Sequence, residues 1–324
     1  MTQFGSSPNY RLGSLYSVAT AFLLATQEPF SFLAAKRLNA MQFVCITQIA
    51  LVLSIPLLLT RSVSRRDFVA LLSDPSNLWR LAVIFAIGLT GLLLYNAGLS
   101  NAHPIIIAAI LNLSPFWAAL VARVISNKPI PISPPIFFGC LAGAFAGAMA
   151  IPLSQMGSGH MASVGSLAES VLHGAWIYAI PVPVCSALGG TLIGKWFVKY
   201  DESAAIAANF MASTLVLIPS TTFILYQRAE LPSGEALPIA LMIAGTIIAA
   251  SLGRVLYQIS LTVTDNDNGF VTMFFLLVPV LTSLISLSLS WWIPELRFTA
   301  GALFALGLVV NASALLVFSL KSWR

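Results

Sequence analysis

Two charged side chains of this 324-residue chain stand deep inside long apolar runs. They are Glu28, which Pro29 follows directly, and Arg254, which Tyr257 and Gln258 follow at i+3 and i+4 on the same helix face. A charge inside an apolar helix is costly in lipid, so each is expected to face a cavity or a partner. A guanidinium donates two parallel hydrogen bonds to a carboxylate or phosphate, so the Arg254 face predicts a binding site for an anionic group.

Glu28 allows three interpretations. A buried carboxylate can take up and release a proton, which predicts the coupling site of a proton-linked cycle. It can equally be a fixed carboxylate that accepts hydrogen bonds from backbone donors, or a lasting ion-pair partner of Arg254. From the limits of the two apolar runs, the backbones of Glu28 and Arg254 are expected to differ in depth by roughly 10–15 Å. A pair that forms in only one conformational state is therefore favoured over a permanent pair.

Four neutral polar residues extend this candidate site: Tyr95, Asn96, Asn112 and Ser186. Each could simply bridge two neighbouring helices, an interaction worth about 0.6 kcal/mol. Together with the Arg254 face, they predict the lining of a water-accessible cavity between the helices.

Three prolines inside the apolar runs, Pro29, Pro115 and Pro279, predict breaks in the helices that carry these residues. A proline removes one helical donor and leaves a carbonyl free about one turn earlier. In a membrane such a break is tolerated where protein or cavity water satisfies the freed group, and a simple packing kink is the alternative.

The composition determines which elements carry these residues. Hydrophobic residues make up 58% of the chain and charged residues 8%, which excludes both a water-soluble globule and a disordered chain. Ten continuous apolar runs are each long enough to cross a hydrocarbon core of about 30 Å as a helix. They predict an all-α membrane protein with ten transmembrane helices, at roughly 12–35, 40–60, 79–101, 104–125, 134–153, 172–197, 204–226, 237–262, 269–292 and 299–320.

The distribution of basic residues predicts the orientation of the spans. With the N-terminus inside, eleven Lys and Arg residues fall on the inner side and four on the outer side. This asymmetry follows the positive-inside rule, so we expect a multi-pass protein of the plasma or inner membrane with both termini in the cytoplasm. The net charge of +5 is therefore interpreted as topology information, and no nucleic-acid partner is expected.

A weak internal repeat relates the two halves of the chain, 10–153 and 171–322, which 154–170 joins as a linker on the outer side. A shift of 162 residues lays Gly91–Asn96 on Gly253–Gln258, and a shift of 164 lays Pro115 on Pro279. Since each half has five spans, the second half must enter the membrane inverted. Two inverted five-helix repeats around a central cavity are the architecture of an alternating-access transporter.

Stretches of both halves resemble a known family. Residues 95–130, YNAGLSNAHPIIIAAILNLSPFWAALVARVISNKPI, and the later segment FFLLVPVLTSLISLSLSWWIPELRFTAGALFALGL are similar to the EamA-type domain of the drug/metabolite transporter superfamily. The resemblance covers essentially the whole chain, as two tandem domains. It implies a central cavity lined by spans one, three, four, six, eight and nine. It also implies secondary transport, in the direction of export, of a small organic metabolite.

Three glycines form a GxxxGxxxG stripe in the fifth span: Gly139, Gly143 and Gly147. Small residues at this spacing allow two helices to approach closely. We therefore expect the stripe to pack against the tenth span and not to bind phosphate, because neither a preceding strand nor a lysine motif accompanies it.

The sequence carries no GxSxG, HExxH or CxxC motif, and its three histidines are scattered. No enzymatic activity, metal site or cofactor is therefore expected. The function predicted is transport of a small solute with an anionic group by a monomer or homodimer in the lipid bilayer. A lipid or lipid-carrier flippase and a non-transporting membrane subunit are the alternatives.

Overall fold

The structure is a computed structural model that describes residues 9–155, 178–212, 214–215, 219, 236–264, 268–298 and 300–322. Every regular element in these ranges is helical. The α-helices are α1 (Tyr10–Arg37), α2 (Ala40–Leu58), α3 (Ser62–Ser73), α4 (Pro75–Asn101), α5 (Pro104–Leu111), α6 (Ser114–Ser126), α7 (Pro134–Gln155), α8 (Val182–Trp196), α9 (Glu202–Ala212), α10 (Ala236–Val263), α11 (Asn268–Met273), α12 (Leu277–Leu289) and α13 (Ala302–Ser322). Two 3₁₀ turns cover Phe274–Leu276 and Pro294–Leu296.

Seven helical segments of the described chain are long and apolar enough to cross a membrane. They are Tyr10–Arg37, Ala40–Leu58, Pro75–Asn101, Pro104–Ser126, Pro134–Ser154, Ala244–Leu261 and Ala302–Lys321, and Phe274–Leu289 is a shorter apolar helix. These segments coincide with eight of the ten predicted apolar runs. Most of the linker predicted at 154–170, the beginning of the sixth run and much of the seventh lie outside the described residues.

Two of the apolar runs are interrupted at similar places. The fourth run divides at Asn112 into α5 and α6, and the ninth divides at the 3₁₀ turn Phe274–Leu276 into α11 and α12. Pro115 and Pro279 lie in the first turns of α6 and α12, where a proline loses no intrahelical hydrogen bond. The breaks predicted near these two prolines are therefore present, directly before each proline.

Pro29 behaves differently, because α1 continues through it as one helix of 28 residues. The carbonyl that a proline frees lies four residues earlier, at Ala25. The Thr282 hydroxyl of α12 donates a hydrogen bond to that carbonyl, with 3.3 Å between the two oxygens. The predicted break at Pro29 is thus absent, since a neighbouring helix replaces the lost hydrogen bond.

The helix α1 lies at the centre of the bundle and packs against α10, α12, α4 and α5. Its contact with α10 is antiparallel and close. The hydroxyls of Ser17 and Ser260 are 2.6 Å apart, and Asn9 N–H donates to the carbonyl of Val263 at 2.9 Å. The bundle has two ends: the N-terminal face, near Asn9 and Val263, and the opposite face, near the last turn of α1.

The glycine stripe of α7 packs against α13, the tenth predicted span, as expected. A methyl group at Gly147 would lie 2.5 Å from the backbone nitrogen of Asn311 and 2.6 Å from the carbonyl oxygen of Gly307. Gly143 is in ordinary contact with Ala314, and a methyl group at Gly139 would meet open space. The close approach is therefore confined to the part of the stripe nearer the opposite face.

Candidate functional site

Glu28 and Tyr95 form a buried hydrogen-bonded pair between α1 and α4. The Tyr95 hydroxyl donates to Oε2 of Glu28 at 2.8 Å. Glu28 is 4% exposed and Tyr95 is 8% exposed, and the Tyr95 ring packs against Phe43 of α2, with 6.2 Å between ring centroids. The carboxylate therefore has a fixed partner in the apolar interior, and this partner is one of the residues that the sequence assigned to the cavity.

Arg254 approaches the same pair from α10. Its guanidinium lies within electrostatic range of the Tyr95 hydroxyl, and its side chain is only partly buried. The contact between Ser17 and Ser260 places Arg254 level with residues 21–23 of α1, so the Glu28 and Arg254 backbones differ in depth by roughly 8–10 Å. This is slightly less than the predicted separation, and it puts Tyr95 where it can interact with both charges.

Tyr257 and Gln258 extend the Arg254 face toward the N-terminal face of the bundle. The Tyr257 ring packs against Phe275 of the 3₁₀ turn, with 5.6 Å between ring centroids. The Gln258 side chain forms a hydrogen bond with Glu202, the first residue of α9. Burial raises the pKa of Glu202, and the bond from Gln258 partly offsets that effect. Polar side chains therefore follow one another along α10 from Tyr95 of α4 to Glu202 of α9. We call this row the polar track: Tyr95, Arg254, Tyr257, Gln258 and Glu202.

A small cleft opens at the end of this track on the N-terminal face. Its volume is about 120 Å³, and α2, α9 and α10 form its walls. Arg61, Ser203 and Gln258 are among the side chains that line it. Arg61 also lies 3.9 Å from a carboxylate oxygen of Asp201, so charged and polar groups surround the opening.

Three predicted site residues lie apart from this track. Asn112 donates to Oδ1 of Asn311 at 3.1 Å, which joins the break in the fourth run to α13. Ser186 is exposed on α8. Asn96 is buried beside Tyr95, and its amide oxygen has no hydrogen-bond partner among the described residues. The structure thus brings together Glu28, Tyr95 and the Arg254 face, with Asn96 adjacent in sequence.

At the opposite face, His103 joins the start of α5 to the turn Pro294–Leu296, and the sequence analysis did not single it out. Its Nδ1 accepts from the backbone N–H of Ile105 at 3.4 Å, so Nε2 carries the proton and donates to the carbonyl of Leu296 at 3.1 Å. The rings of Phe32 and Phe298 pack on the imidazole with centroids 5.9 and 5.4 Å away. Burial lowers the pKa of His103 to about 4, so the ring is neutral here.

Two further residues that hold the helices around the site together were also not predicted from the sequence. The side chains of Thr282 and Asn311 donate to backbone carbonyls of helices 257 and 167 residues away, and periodicity carries no signal for such contacts. Asn311 has one recognisable feature, since it is an amide in the apolar run of α13. In the described part of the chain, no group of three or more His, Cys, Asp or Glu side chains could hold a metal ion.

Comparisons with known proteins bear on the fold. No family model and no curated protein matches the sequence. A solved structure described only as "Crystal structure of protein" superposes with a TM-score of 0.57 over 94% of this chain and 95% of its own, at 16% sequence identity. At this identity the likeness concerns the fold alone. The arrangement of helices along nearly the whole chain is therefore similar to that of a protein whose structure has been solved.

Proposed function

We propose that the protein is a secondary transporter that moves a small organic solute across a membrane by alternating access. The observation that carries this proposal is the constellation of the buried Glu28 and Tyr95 with the partly buried Arg254, which three long apolar helices contribute. Opposite charges inside a membrane bundle are expensive, and in such proteins they mark substrate or ion pathways.

The packing of the helices supports ten spans arranged as two inverted repeats. In an inverted repeat, exchanging spans one to five with spans six to ten leaves the set of contacts unchanged. The contact of α1 with α10 (spans one and eight) then corresponds to the contact of α8 with α4 (spans six and three). The contact of α1 with α12 (spans one and nine) corresponds to the contact of α8 with α6 (spans six and four). The interruptions at Asn112 and at Phe274–Leu276 are a further corresponding pair. This arrangement agrees with the resemblance to the EamA-type domain.

In the proposed orientation the N-terminal face is cytoplasmic, as are both termini, and the membrane is the plasma or inner membrane. The basic residues Arg61, Arg123, Lys195 and Lys321 support this orientation, because they lie at helix ends on that face. The cleft beside Gln258 is the cytoplasmic entrance, and the contact of His103 with Leu296 closes the outer end. The direction of transport is export.

Each member of the constellation has a separate role in the proposed cycle. Glu28 is the coupling site, since protonating its carboxylate would remove the acceptor charge that holds the Tyr95 hydroxyl. Arg254 binds an anionic group of the solute through its planar fork, and Tyr257 and Gln258 complete the binding face. The solute enters from the cleft along the polar track and reaches Tyr95 last.

The experiment has two steps. Purified protein is first screened for thermal stabilisation by pools of metabolites, because a ligand that binds only the folded state raises the melting temperature. The stabilising solute is then loaded into proteoliposomes, and its efflux is measured with and without a proton gradient. Glu28→Gln should abolish the response to the gradient, and Arg254→Lys should weaken binding about tenfold or more because the fork is lost.

Lys321→Gln is the matched control, since Lys321 is exposed at a helix end outside the polar track. It should bind and transport as the parent does. Normal efflux by both Arg254→Lys and Arg254→Gln would contradict an anion site. An unchanged gradient response of Glu28→Gln would contradict proton coupling. Failure of every metabolite pool to stabilise the parent or to move across the membrane would favour a non-transporting subunit.

A further inference from the structure

The ends of α4 and α8 meet at the N-terminal face in a group of side chains that we call the aromatic–basic cluster: Trp79, Arg80, Trp196, Lys199 and Tyr200. Trp79 and Arg80 lie near the start of α4, Trp196 ends α8, and the other two follow it. The Trp79 and Trp196 rings are in contact, with 5.4 Å between centroids. The cluster therefore lies where two long apolar segments leave the apolar layer, at the depth at which tryptophan is enriched in membrane proteins.

Both cations of the cluster are held against aromatic rings. The Arg80 guanidinium lies 5.7 Å from the Trp79 ring centroid, and the Lys199 ammonium lies 4.8 Å from the Tyr200 ring centroid. A cation over an aromatic face is attracted by the ring quadrupole. The two positive charges are thus oriented by the fold and have less conformational freedom than ordinary surface side chains.

The cluster carries more positive charge than its own carboxylate neutralises. Asp74 is near both cations, but it caps α4 by accepting from Ser76 N–H at 2.9 Å. The bonds from Ser76 are the main reason that the pKa of Asp74 is lowered, with smaller effects of Lys199 and Arg80. Neither cation forms an ion pair within 4.0 Å with a carboxylate of the described residues.

Arg80 also has an unused donor. Its Nε is buried and has no hydrogen-bond partner among the described residues. A buried N–H of a charged group without an acceptor is costly, and a small rotation of the guanidinium that exposes this N–H to an anion would remove the cost. The acceptor expected here is a compact oxyanion that Arg80 and Lys199 can share.

We propose that the aromatic–basic cluster binds the phosphate of an anionic lipid headgroup. A lipid fits better than free phosphate because apolar surface borders the cations: Trp79 is 55% exposed and Val198 is 82% exposed. The headgroup phosphate lies between Arg80 and Lys199, and the start of the acyl chains lies against the two tryptophans. This site is independent of the solute pathway proposed above.

Native mass spectrometry of the purified full-length protein tests the proposal with phosphatidylglycerol, phosphatidylcholine and inorganic phosphate as probes. Each cation near an anionic headgroup changes affinity by about fivefold, so the double variant Arg80→Gln/Lys199→Gln should bind phosphatidylglycerol about 25-fold more weakly. The parent should retain phosphatidylglycerol in preference to phosphatidylcholine. Lys321→Gln, which removes a basic residue elsewhere on the same face, should bind like the parent.

Thermal unfolding in detergent provides the second measurement. Phosphatidylglycerol should raise the melting temperature of the parent and of Lys321→Gln, but not that of the double variant. Equal retention of phosphatidylglycerol by parent and double variant would overturn the proposal. Stabilisation of the parent by inorganic phosphate to the same extent as by phosphatidylglycerol would also overturn it, because the site would then recognise phosphate without the lipid. If the double variant does not fold, Arg80→Lys, which keeps the charge and loses Nε, should still lower phosphatidylglycerol retention.

Discussion

The cleft at the N-terminal face and the His103 contact at the opposite face are held together by different chemistry. At the opposite face, a neutral His103 donates to the backbone of Leu296 between aromatic rings. At the N-terminal face, Arg61 lines a cleft and lies 3.9 Å from a carboxylate oxygen of Asp201. Ion pairs exposed to water contribute about 0–1 kcal/mol, whereas buried aromatic packing and satisfied backbone groups contribute more. The difference implies that the charged groups around the cleft separate more easily than the contact of His103 with Leu296.

The largest effect is expected in the glycine stripe, which is tight only toward the opposite face. Gly147→Leu should destabilise the fold by about 3 kcal/mol or more, because the added side chain meets the backbone of α13. Gly139→Leu makes the same change on the same helix face where a methyl group meets open space, and it should be nearly neutral. Thermal unfolding and the yield of monodisperse protein measure both. Equal losses of stability in the two variants would show that the close contact between α7 and α13 at Gly147 does not stabilise the fold more than the rest of the stripe.

A pH titration examines the closure at the opposite face directly. The unfolded chain protonates His103 near pH 6.5, whereas the folded protein does so only near pH 4. Stability from this group is therefore fully present above pH 6.5 and is lost progressively as the pH falls toward 4. Allowing for partial exposure of the ring, we expect a loss of about 1–2 kcal/mol between pH 7 and 4.5.

His103→Asn is the control for this titration, because asparagine can still cap α5 but does not titrate. The fall in melting temperature between pH 7 and 4.5 should be smaller in this variant than in the parent. Acidification has the opposite effect through Glu202: because its pKa is raised in the folded protein, this group adds stability as the pH falls. Comparing the variant with the parent therefore isolates the contribution of His103. If the melting temperatures of the two proteins changed identically with pH, protonation of His103 would not be the cause of the loss of stability.

The smallest effect is expected at the N-terminal face. Arg61→Gln removes an ion pair with 3.9 Å between the charged atoms and an arginine side chain that is 48% exposed. We expect a change of less than about 0.5 kcal/mol in the free energy of unfolding, and less still at high salt. Chemical unfolding at two salt concentrations measures it. A loss as large as the roughly 1–2 kcal/mol expected from protonating His103 would remove the distinction between the two ends.

The sequence by itself determined the helices and much of their packing. Continuous apolar runs require helices in lipid, since only a helix satisfies every backbone group within one segment. The spacing of Gly143 and Gly147 predicted a close contact with the tenth span, and the structure confirms it. The prolines at 115 and 279 correctly indicated where two runs are interrupted. These properties depend on residues close together in sequence, so local patterns are enough to predict them.

Only the tertiary structure decided which polar groups meet. Periodicity gives the face of a residue relative to its own helix axis, but not the rotation and depth of one helix against another. Glu28 therefore could not be assigned to Tyr95, 67 residues away, nor Asn112 to Asn311. The continuity of α1 through Pro29 was equally out of reach, because it depends on the Thr282 hydroxyl of a helix more than 250 residues later. Such partners are selected by the packing of the whole bundle, since a buried polar group takes the acceptor or donor that the final arrangement brings within reach.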